Sequence, residues 1–293
     1  MPNSKTEEYP ILWLQGGGCS GCSVSLLNSV SPTARNIIVD EIIPGKHLNI
    51  RFHPTVMAGA GDAVVDELER TRKESKGAYL LVVEGSVPLG AGGAYAMIGE
   101  RDGKEISMHS WVKSLSEDAL AVIAAGTCAA FGGIPAGAPN PTESVGVQEV
   151  LSSEGITTPL INVPGCPPHP DWFVGTVASL LLHGLPKEED LDEYLRPKAF
   201  YGQLIHDNCP RRAYYDVGKF AKKLSDPYCL YEMGCKGPVT HADCPIRLWN
   251  NGVNWCVGSG APCIGCVEPT FPDVVAPVYE KITDEALPNI GAE

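Results

Sequence analysis

The chain has 293 residues, of which 44% are hydrophobic and 19% charged, values typical of a folded globular protein rather than a disordered one. Its formal net charge of -13 argues against binding to nucleic acids, which favour basic surfaces. The apolar runs are too short for a transmembrane helix, and eleven cysteines, an odd number in a chain this long, argue against a disulfide scaffold.

The first nine residues carry no export signal. They are polar, without an apolar segment and without a twin-arginine pair. We therefore expect a cytoplasmic protein if Met1 is the true start. If a signal peptide precedes this sequence, we expect a periplasmic protein or one at the periplasmic face of a membrane.

Short apolar runs alternate with amphipathic segments through the first two thirds of the chain. Strands are predicted at residues 11–15, 48–53, 79–83, 119–124 and 160–163. Helices are predicted from Ser23, as the capping residue, to about Val30, and then at residues 61–74, 108–115 and 171–183. Strands that alternate with helices predict an α/β domain with a doubly wound parallel sheet.

An acidic segment at residues 187–193, followed by Pro197, marks a change in composition. Beyond it the strand and helix periodicity fades, and Gly, Pro and Cys become frequent. We therefore predict an α/β domain over residues 1–195 and a Cys-rich, mostly irregular domain over residues 196–293.

Four cysteines of the first domain directly follow predicted strands. Cys19 and Cys22 follow the first strand, Cys128 the fourth and Cys166 the fifth. Because the loops beyond the carboxyl ends of parallel strands meet in one crevice, these thiols are expected to converge. Four thiolates around one point match the ligands of a 4Fe-4S cluster.

Other interpretations of this region stay open. The glycine-rich loop at residues 16–21 resembles a phosphate cradle, but it lacks the Gly-Lys-Ser/Thr ending and the Gly-x-Gly-x-x-Gly spacing. Cys128 by itself fits a buried structural cysteine. Glu84, which follows the third strand, is expected at the same rim, and we interpret Glu84 and His169 as structural residues rather than catalysts.

The remaining seven cysteines lie between His206 and Cys266. They form one C-x-x-C pair and several single cysteines at irregular spacings, in segments rich in Gly and Pro. This pattern is typical of iron-sulfur ligands. Zinc also binds C-x-x-C, but a zinc ribbon favours two pairs close together. With the histidine there are eight ligands, enough for two four-iron clusters: His206, Cys209, Cys229, Cys235, Cys244, Cys256, Cys263 and Cys266.

Nine motifs spread over almost the whole chain make a resemblance specific. They are residues 13–28, 52–57, 83–88, 126–135, 162–172, 206–210, 234–238, 249–256 and 263–269. On these motifs the sequence resembles the small subunit of nickel-iron hydrogenases, and it is especially similar to the nickel-iron-selenium branch. The resemblance implies a flavodoxin-like first domain followed by an iron-sulfur domain.

The resemblance also implies three ligand sets, each for one 4Fe-4S cluster. The proximal set is Cys19, Cys22, Cys128 and Cys166. The distal set is His206, Cys209, Cys229 and Cys235. The medial set is Cys244, Cys256, Cys263 and Cys266. Many relatives have proline at the position of Cys256 and bind a 3Fe-4S cluster, which would also form here if Cys256 did not ligate.

The implied function is electron transfer within a hydrogenase whose nickel-iron centre belongs to a separate large subunit. Consistent with that, the sequence has no R-x-C-x-x-C and no C-x-x-C-x-x-H nickel motif. Two alternatives remain: a subunit of a quinone-oxidoreductase-type complex, which shares the first domain, and a stand-alone ferredoxin-like carrier. The Cys-rich C-terminal third argues against the first, and the large α/β domain, suited to docking a partner, argues against the second.

Two partner surfaces are expected. The large subunit should cover the mouth of the proximal crevice. An electron carrier such as a cytochrome or a ferredoxin should dock near the distal set. Basic residues cluster there and suggest an acidic carrier: Arg211, Arg212, Lys219, Lys222 and Lys223.

Overall fold

The computed structural model of the chain describes residues 6–273, 276–277 and 279–281. It divides into two compact units between Glu188 and Glu189. The sequence-based boundary at residues 195/196 lies slightly later along the chain. The acidic segment belongs to the second unit because Leu191 bridges to Pro197, and Asp192 holds Arg196 at 2.8 Å.

A five-stranded parallel sheet forms the centre of the first unit. The strands of the whole unit, in chain order, are β1 (Glu7–Gln15), β2 (Lys46–Phe52), β3 (Leu80–Glu84), β4 (Val87–Pro88), β5 (Met97–Arg101), β6 (Lys104–Ser107), β7 (Ala121–Ala125), β8 (Ser144–Val145) and β9 (Leu160–Val163). The main sheet has the order β2-β1-β3-β7-β9, which is the flavodoxin-like order and confirms the predicted fold class. Strands β4 and β8 form one small antiparallel pair, and β5 and β6 form another.

Helices flank this sheet. They are α1 (Gly21–Leu27), α2 (Ala34–Ile38), α3 (Asp62–Glu74), α4 (Met108–Ser116), α5 (Thr127–Phe131), α6 (Gly133–Ala136), α7 (Val147–Ser153) and α8 (Pro170–His183). Helix α1 contacts α8, α3 contacts β2, and α4 contacts α7. Every residue of β3 and β7 is buried, as expected for central strands of a parallel sheet that is covered on both faces.

The five main strands and the four predicted helices all occur, with shifts of a few residues at their ends. One detail was wrong: Ser23 does not cap the first helix, which begins at Gly21 after Ser20 and ends at Leu27. The hydroxyl of Ser23 instead binds Glu84, 61 residues later in the sequence. The short helices α2, α5, α6 and α7 and the β5–β6 hairpin were not predicted.

The second unit has little regular structure, as its composition indicated. Among its described residues the helices are α9 (Lys198–Tyr201), α10 (Arg212–Asp216) and α11 (Cys244–Arg247), with short 3-10 turns in the segments between them. Arg196, only 2% exposed, pairs with Asp192 and with Glu268 at 3.3 Å, and so ties the start of the unit to its end. Within the residues described, no helix combines the length and apolarity needed to cross a membrane.

Candidate iron-sulfur centres

The sheet brings the proximal set together by aligning the ends of four strands. Gln15 pairs with Glu84, Glu84 with Ala125, and Ala125 with Val163, so these strands finish in one row. Cys19 lies in the loop after β1 and Cys22 in the first turn of α1, while Cys128 lies in the first turn of α5 and Cys166 in the loop after β9. The four cysteines predicted to converge therefore stand just beyond this row of strand ends.

The thiols of this set are close enough to interact electrostatically. Burial raises the pKa of the Cys22 thiol strongly, and the Glu84 carboxylate and the other three thiols raise it further. Burial together with Cys166 raises the pKa of Cys128 to about 11. Gly126 (φ +92°) shows how tight the crevice is, because a methyl group on its Cα would overlap with the Cys22 sulfur. Any side chain at Gly126 would push the segment after β7 away from the segment after β1 that carries Cys22.

A buried carboxylate holds the start of helix α1 beside Cys22. Glu84 accepts hydrogen bonds from the Trp13 indole at 2.8 Å, from the Gln15 amide at 3.0 Å and from the Ser23 backbone N–H at 3.0 Å. The Ser23 hydroxyl also donates to it. Four donors around one buried acceptor fix Ser23, and therefore the neighbouring Cys22, to the end of β3.

The same network defines the tautomer of His53. The Thr55 N–H donates to Nδ1 of His53 at 3.2 Å, so Nδ1 is an acceptor and the ring proton is on Nε2. Nε2 lies 3.2 Å from the Ser23 oxygen, whose own hydrogen points to Glu84. Burial lowers the pKa of His53, which fits this neutral ring. His169 has a separate structural role, since its Nδ1 caps α8 by accepting from the Asp171 N–H at 3.1 Å.

All four members of the distal set line one cavity. Its walls include His206, Cys209, Cys229 and Cys235. Burial lowers the pKa of His206, and nearby Arg212 lowers it further, which favours the neutral imidazole that a metal ligand requires. The ring of Tyr215 packs edge-on against His206, with 4.5 Å between centroids.

Four cysteines of the second unit share one hydrogen-bonding pattern. In each case the backbone N–H of the second residue after the cysteine donates to its sulfur. The pairs are Arg211 to Cys209, Tyr231 to Cys229, Gly237 to Cys235 and Gly265 to Cys263. Burial raises the pKa of all four thiols, and these N–H donors oppose that rise. Donors aimed at sulfur stabilise a thiolate, the form that binds iron.

The medial set is gathered around Cys244 at the start of α11. Burial raises the pKa of this thiol, and Cys266 and Cys256 raise it further, which places all three close together. The pKa of Cys263, raised mainly by burial, is also raised by Cys266 and Cys244. The side chain of Trp249 donates a hydrogen bond to the Cys244 sulfur.

Cys235 and Cys263 connect the distal and medial sets directly. The backbone N–H of Cys263 donates to the Cys235 sulfur at 3.4 Å, and the N–H of Lys236 donates to the Cys263 carbonyl at 2.7 Å. Lys236 itself is 3% exposed and donates its ammonium to the Glu280 carbonyl at 2.6 Å. A cysteine assigned to one set therefore accepts a bond from the backbone of a cysteine in the other.

A single metal ion and an iron-sulfur cluster require different ligand arrangements. Over the described part of the chain, no three His, Cys, Asp or Glu side chains gather closely enough to hold one ion, and no disulfide joins two cysteines there. A four-iron cluster is held by four separate ligands, each on a different iron atom. Converging, buried thiols with N–H donors aimed at their sulfurs fit that requirement.

Comparison with known proteins assigns the chain to a family. Residues 201–279 match the family described as the C-terminal region of the NiFe/NiFeSe hydrogenase small subunit. The periplasmic [NiFeSe] hydrogenase small subunit of Desulfomicrobium baculatum is 46% identical, over 93% of this chain and 87% of that one. This chain belongs to the nickel-iron hydrogenase small subunit family.

Other relatives agree with this assignment. The periplasmic [NiFe] hydrogenase small subunit of Solidesulfovibrio fructosivorans is 41% identical, over 92% of this chain and 81% of that one. The crystal structure of a reduced, active Ni-Fe-Se hydrogenase from Desulfomicrobium baculatum superimposes with a TM-score of 0.88 at 44% identity, covering 94% of this chain and all of that one. Hydrogenase small subunits are parts of hydrogenase complexes, as the resemblance implied.

A second family covers the first unit. Residues 19–180 match the family described as NADH ubiquinone oxidoreductase, 20 Kd subunit. This sharing of the first domain with quinone oxidoreductases agrees with the family resemblance. The hydrogenase relatives, in contrast, cover nearly the whole chain, including its Cys-rich part.

Sequence reasoning missed several residues that support the site. Ser23 and His53 complete the network at Glu84, Trp249 donates to Cys244, and Tyr215 packs on His206. Ser23, His53 and Trp249 each lie in a motif shared with the hydrogenase family, whereas Tyr215 lies in none of them. Their contacts join segments that local pattern does not connect.

Proposed function

We propose that this chain is the electron-transfer subunit of a nickel-iron or nickel-iron-selenium hydrogenase. It would carry electrons between an active site on a large subunit and an external carrier. The proximal, distal and medial sets would each hold one 4Fe-4S cluster. When bound, such clusters supply one-electron redox chemistry at potentials that ligand type, hydrogen bonds to sulfur and burial adjust.

The observation that carries this proposal is the cavity at the distal set. Its four lining ligands come from three separate loops, and family resemblance had grouped the same four residues. Three of them, Cys209, Cys229 and Cys235, also receive an N–H donor on sulfur. A cavity lined by three such thiols and one neutral imidazole suits a cluster with Cys₃His ligation.

The chain's own residues have defined tasks in this function. The backbone donors hold the thiols as thiolates in a buried setting, where burial alone would favour the protonated form. Replacing one thiolate by the neutral His206 leaves the distal site less negative, which favours the reduced state. Cys256 completes the medial set, so a four-iron rather than a three-iron cluster is expected there.

The large subunit is proposed to bind at the mouth of the proximal crevice. Helix α1, which begins beside Cys19, exposes Val24 (57%) and Leu27 (39%). Apolar side chains on the surface of a short helix beside a ligand loop suit a permanent protein interface. Such interfaces usually bury more than ~2,000 Å².

Purification of the complex with an affinity tag on this chain tests the proposal. We expect a second, nickel-containing chain in equal amount and about twelve iron atoms in the small subunit, four for each cluster. Selenium analysis of the second chain distinguishes the two branches of the family. A stable, fully loaded chain that purifies alone would favour a stand-alone carrier and contradict the proposal.

The match of residues 19–180 to a quinone-oxidoreductase subunit supports a second candidate function. In that case the partner chains would lack nickel, and the complex would reduce a quinone rather than exchange hydrogen with deuterium. The same purification separates the two candidates, since nickel content and hydrogen-deuterium exchange are measured on one sample.

A further inference from the structure

The loop between two distal ligands, residues 210–228, forms a basic surface in an acidic chain. Residues 211–223 contain five Lys or Arg side chains and one carboxylate, whereas the whole chain has a net charge of -13. Both ends of the loop are hydrogen bonded next to the ligands. The Arg212 N–H donates to the Cys209 carbonyl at 2.9 Å, and the Ala221 N–H donates to the Cys229 carbonyl at 2.8 Å. The surface of this loop therefore lies within a few residues of the distal cavity.

The two arginines of the loop are engaged in holding it together. Arg211 donates to the carbonyls of Asp226 and Tyr228, at 3.2 and 2.9 Å. Arg212 pairs with Asp207 at 2.6 Å and with Asp216 at 3.9 Å. These two cations, which the sequence analysis counted with the docking surface, are structural supports.

Three lysines remain available on the surface. Lys219, Lys222 and Lys223 are exposed, and none has a carboxylate within ion-pair distance among the residues that the structure describes. The nearby Asp226 carboxylate is occupied, because it accepts the N–H groups of Lys222 and Lys223 at 2.9 and 3.2 Å. The Lys219 ammonium lies 4.1 Å from the centre of the Tyr228 ring, which orients it. These lysines therefore make no ion pair among the described residues, and residues 210–228 carry five cations against two carboxylates, Asp216 and Asp226.

Apolar and aromatic residues accompany the lysines. Val217 is 74% exposed and Leu224 is 44% exposed. Aromatic rings of the same segment pack in sequence from His206 to Tyr215 (4.5 Å) and from Tyr215 to Phe220 (5.8 Å). The surface thus combines exposed apolar side chains and unpaired cations on a packed aromatic base that contacts a distal ligand.

We propose that this face, formed by Val217, Lys219, Lys222, Lys223 and Leu224, binds an acidic one-electron carrier protein. The inference rests on the proposed electron-transfer function. Carboxylates of the carrier face the three lysines, and an apolar patch at its redox centre contacts Val217 and Leu224. Small charge-steered interfaces of this kind are typical of weak, transient electron-transfer complexes.

Electrostatic screening explains how an acidic carrier approaches an acidic protein. At physiological salt the Debye length is about 8 Å, so a carrier close to the loop responds to the three lysines more than to distant carboxylates. Added salt weakens this local attraction as well. The association rate with an acidic carrier is therefore expected to fall steeply as salt rises.

The test measures binding of carrier proteins to the intact complex, both by stopped-flow kinetics and with the complex immobilised on a sensor surface. An acidic two-cluster ferredoxin and a basic c-type cytochrome serve as opposite probes. Replacing the lysines together (K219Q, K222Q, K223Q) should lower the association rate of the ferredoxin at least about tenfold, within the range of electrostatic steering. The charge-conserving set K219R, K222R, K223R should retain the rate. A matched set in the first unit, K73Q, K76Q and K104Q, should change it less than about twofold, since those exposed lysines lie outside the loop.

Each outcome decides the proposal. A steep salt dependence that is lost only in the loop variant supports it. A flat salt profile with the parent complex, equal loss in the matched control set, or preferred binding of the cytochrome to this face overturns it. Exchange of H₂ with D₂ at the active site of the complex, and its iron content, are measured on the same samples. They distinguish failure of this proposal from failure of the proposed function. Their absence in the parent would contradict the hydrogenase assignment, whereas binding reports on the surface alone.

Discussion

Glu84 offers the sharpest test of how the first unit holds the proximal set. Its carboxylate is the acceptor for four donors, and two of them, the Trp13 indole and the Ser23 backbone N–H, are buried against it. In the variant Glu84→Ala these two donors lose their acceptor. The Gln15 amide still donates to the Ser23 hydroxyl oxygen at 2.9 Å, and the hydroxyl hydrogen, which can rotate, is not counted.

The expected loss follows from those two donors. An unsatisfied buried donor costs about 1–3 kcal/mol, so Glu84→Ala should destabilise the first unit by about 4 kcal/mol. For a unit of this size, about 2–4 °C of melting temperature is lost per kcal/mol, which predicts a decrease of about 8–16 °C. Glu84→Gln keeps one oxygen acceptor, which can serve the indole, but turns an NH₂ group toward the Ser23 N–H. Glu84→Gln should therefore destabilise the first unit by about half as much as Glu84→Ala.

The assay is the apparent melting temperature of the purified complex at one fixed scan rate, because bound clusters make unfolding irreversible. Iron content is the second readout, since Cys22 is adjacent to Ser23 and should loosen with it. Glu8→Ala, at an exposed carboxylate near the start of β1, should change stability by less than about 0.5 kcal/mol. A change below about 2 °C for Glu84→Ala, or equal effects of Ala and Gln, would refute the reasoning.

Three further predictions concern the other two ligand sets and the partner. Cys256→Pro should create a 3Fe-4S signal in EPR of the oxidised complex, at about one spin per protein, because it removes the fourth medial thiolate; the same signal in the parent would sink the four-iron assignment. His206→Ala should slow electron delivery to an external acceptor at least about tenfold and leave hydrogen-deuterium exchange unchanged, while His206→Cys restores a ligand; undiminished delivery would count against ligation by His206. Val24→Asp places a charge on the exposed face of α1 and should weaken copurification of the large subunit. Val39→Asp, at another exposed valine, serves as the control. Equal recovery of the large subunit with both variants would contradict an interface at α1.

The sequence predicted those parts of the molecule that follow from local pattern. The bounds of β9 were predicted correctly because Leu160–Val163 is an apolar run ended by Pro164. The gathering of Cys22, Cys128 and Cys166 followed from their positions directly after strands. In both cases a one-dimensional pattern carries the information, because strand ends in a parallel sheet share an edge.

The sequence could not predict features that need distant segments to meet. Ser23 fits a helix cap by type, but the carboxylate of Glu84 attracts its hydroxyl from 61 residues away. Arg211 and Lys219 look equivalent in the sequence, yet Arg211 is bound to two carbonyls and Lys219 is exposed. The N–H donors to sulfur depend on backbone turns, which Gly and Pro allow without specifying. Grouping the twelve proposed ligands into sets required family resemblance.

The hydrogen bond from Cys263 to the sulfur of Cys235 has a consequence for maturation of the protein. With the return bond from Lys236, it joins two ligand-bearing segments into one backbone unit. The described residues of the second unit form only short helices, so under the proposed function bound clusters would supply much of its order. Iron delivered to one of the two sites would fix the backbone of the other. The two sites should therefore fill cooperatively, and a chain that receives iron at only one of them should be a short-lived species open to proteolysis.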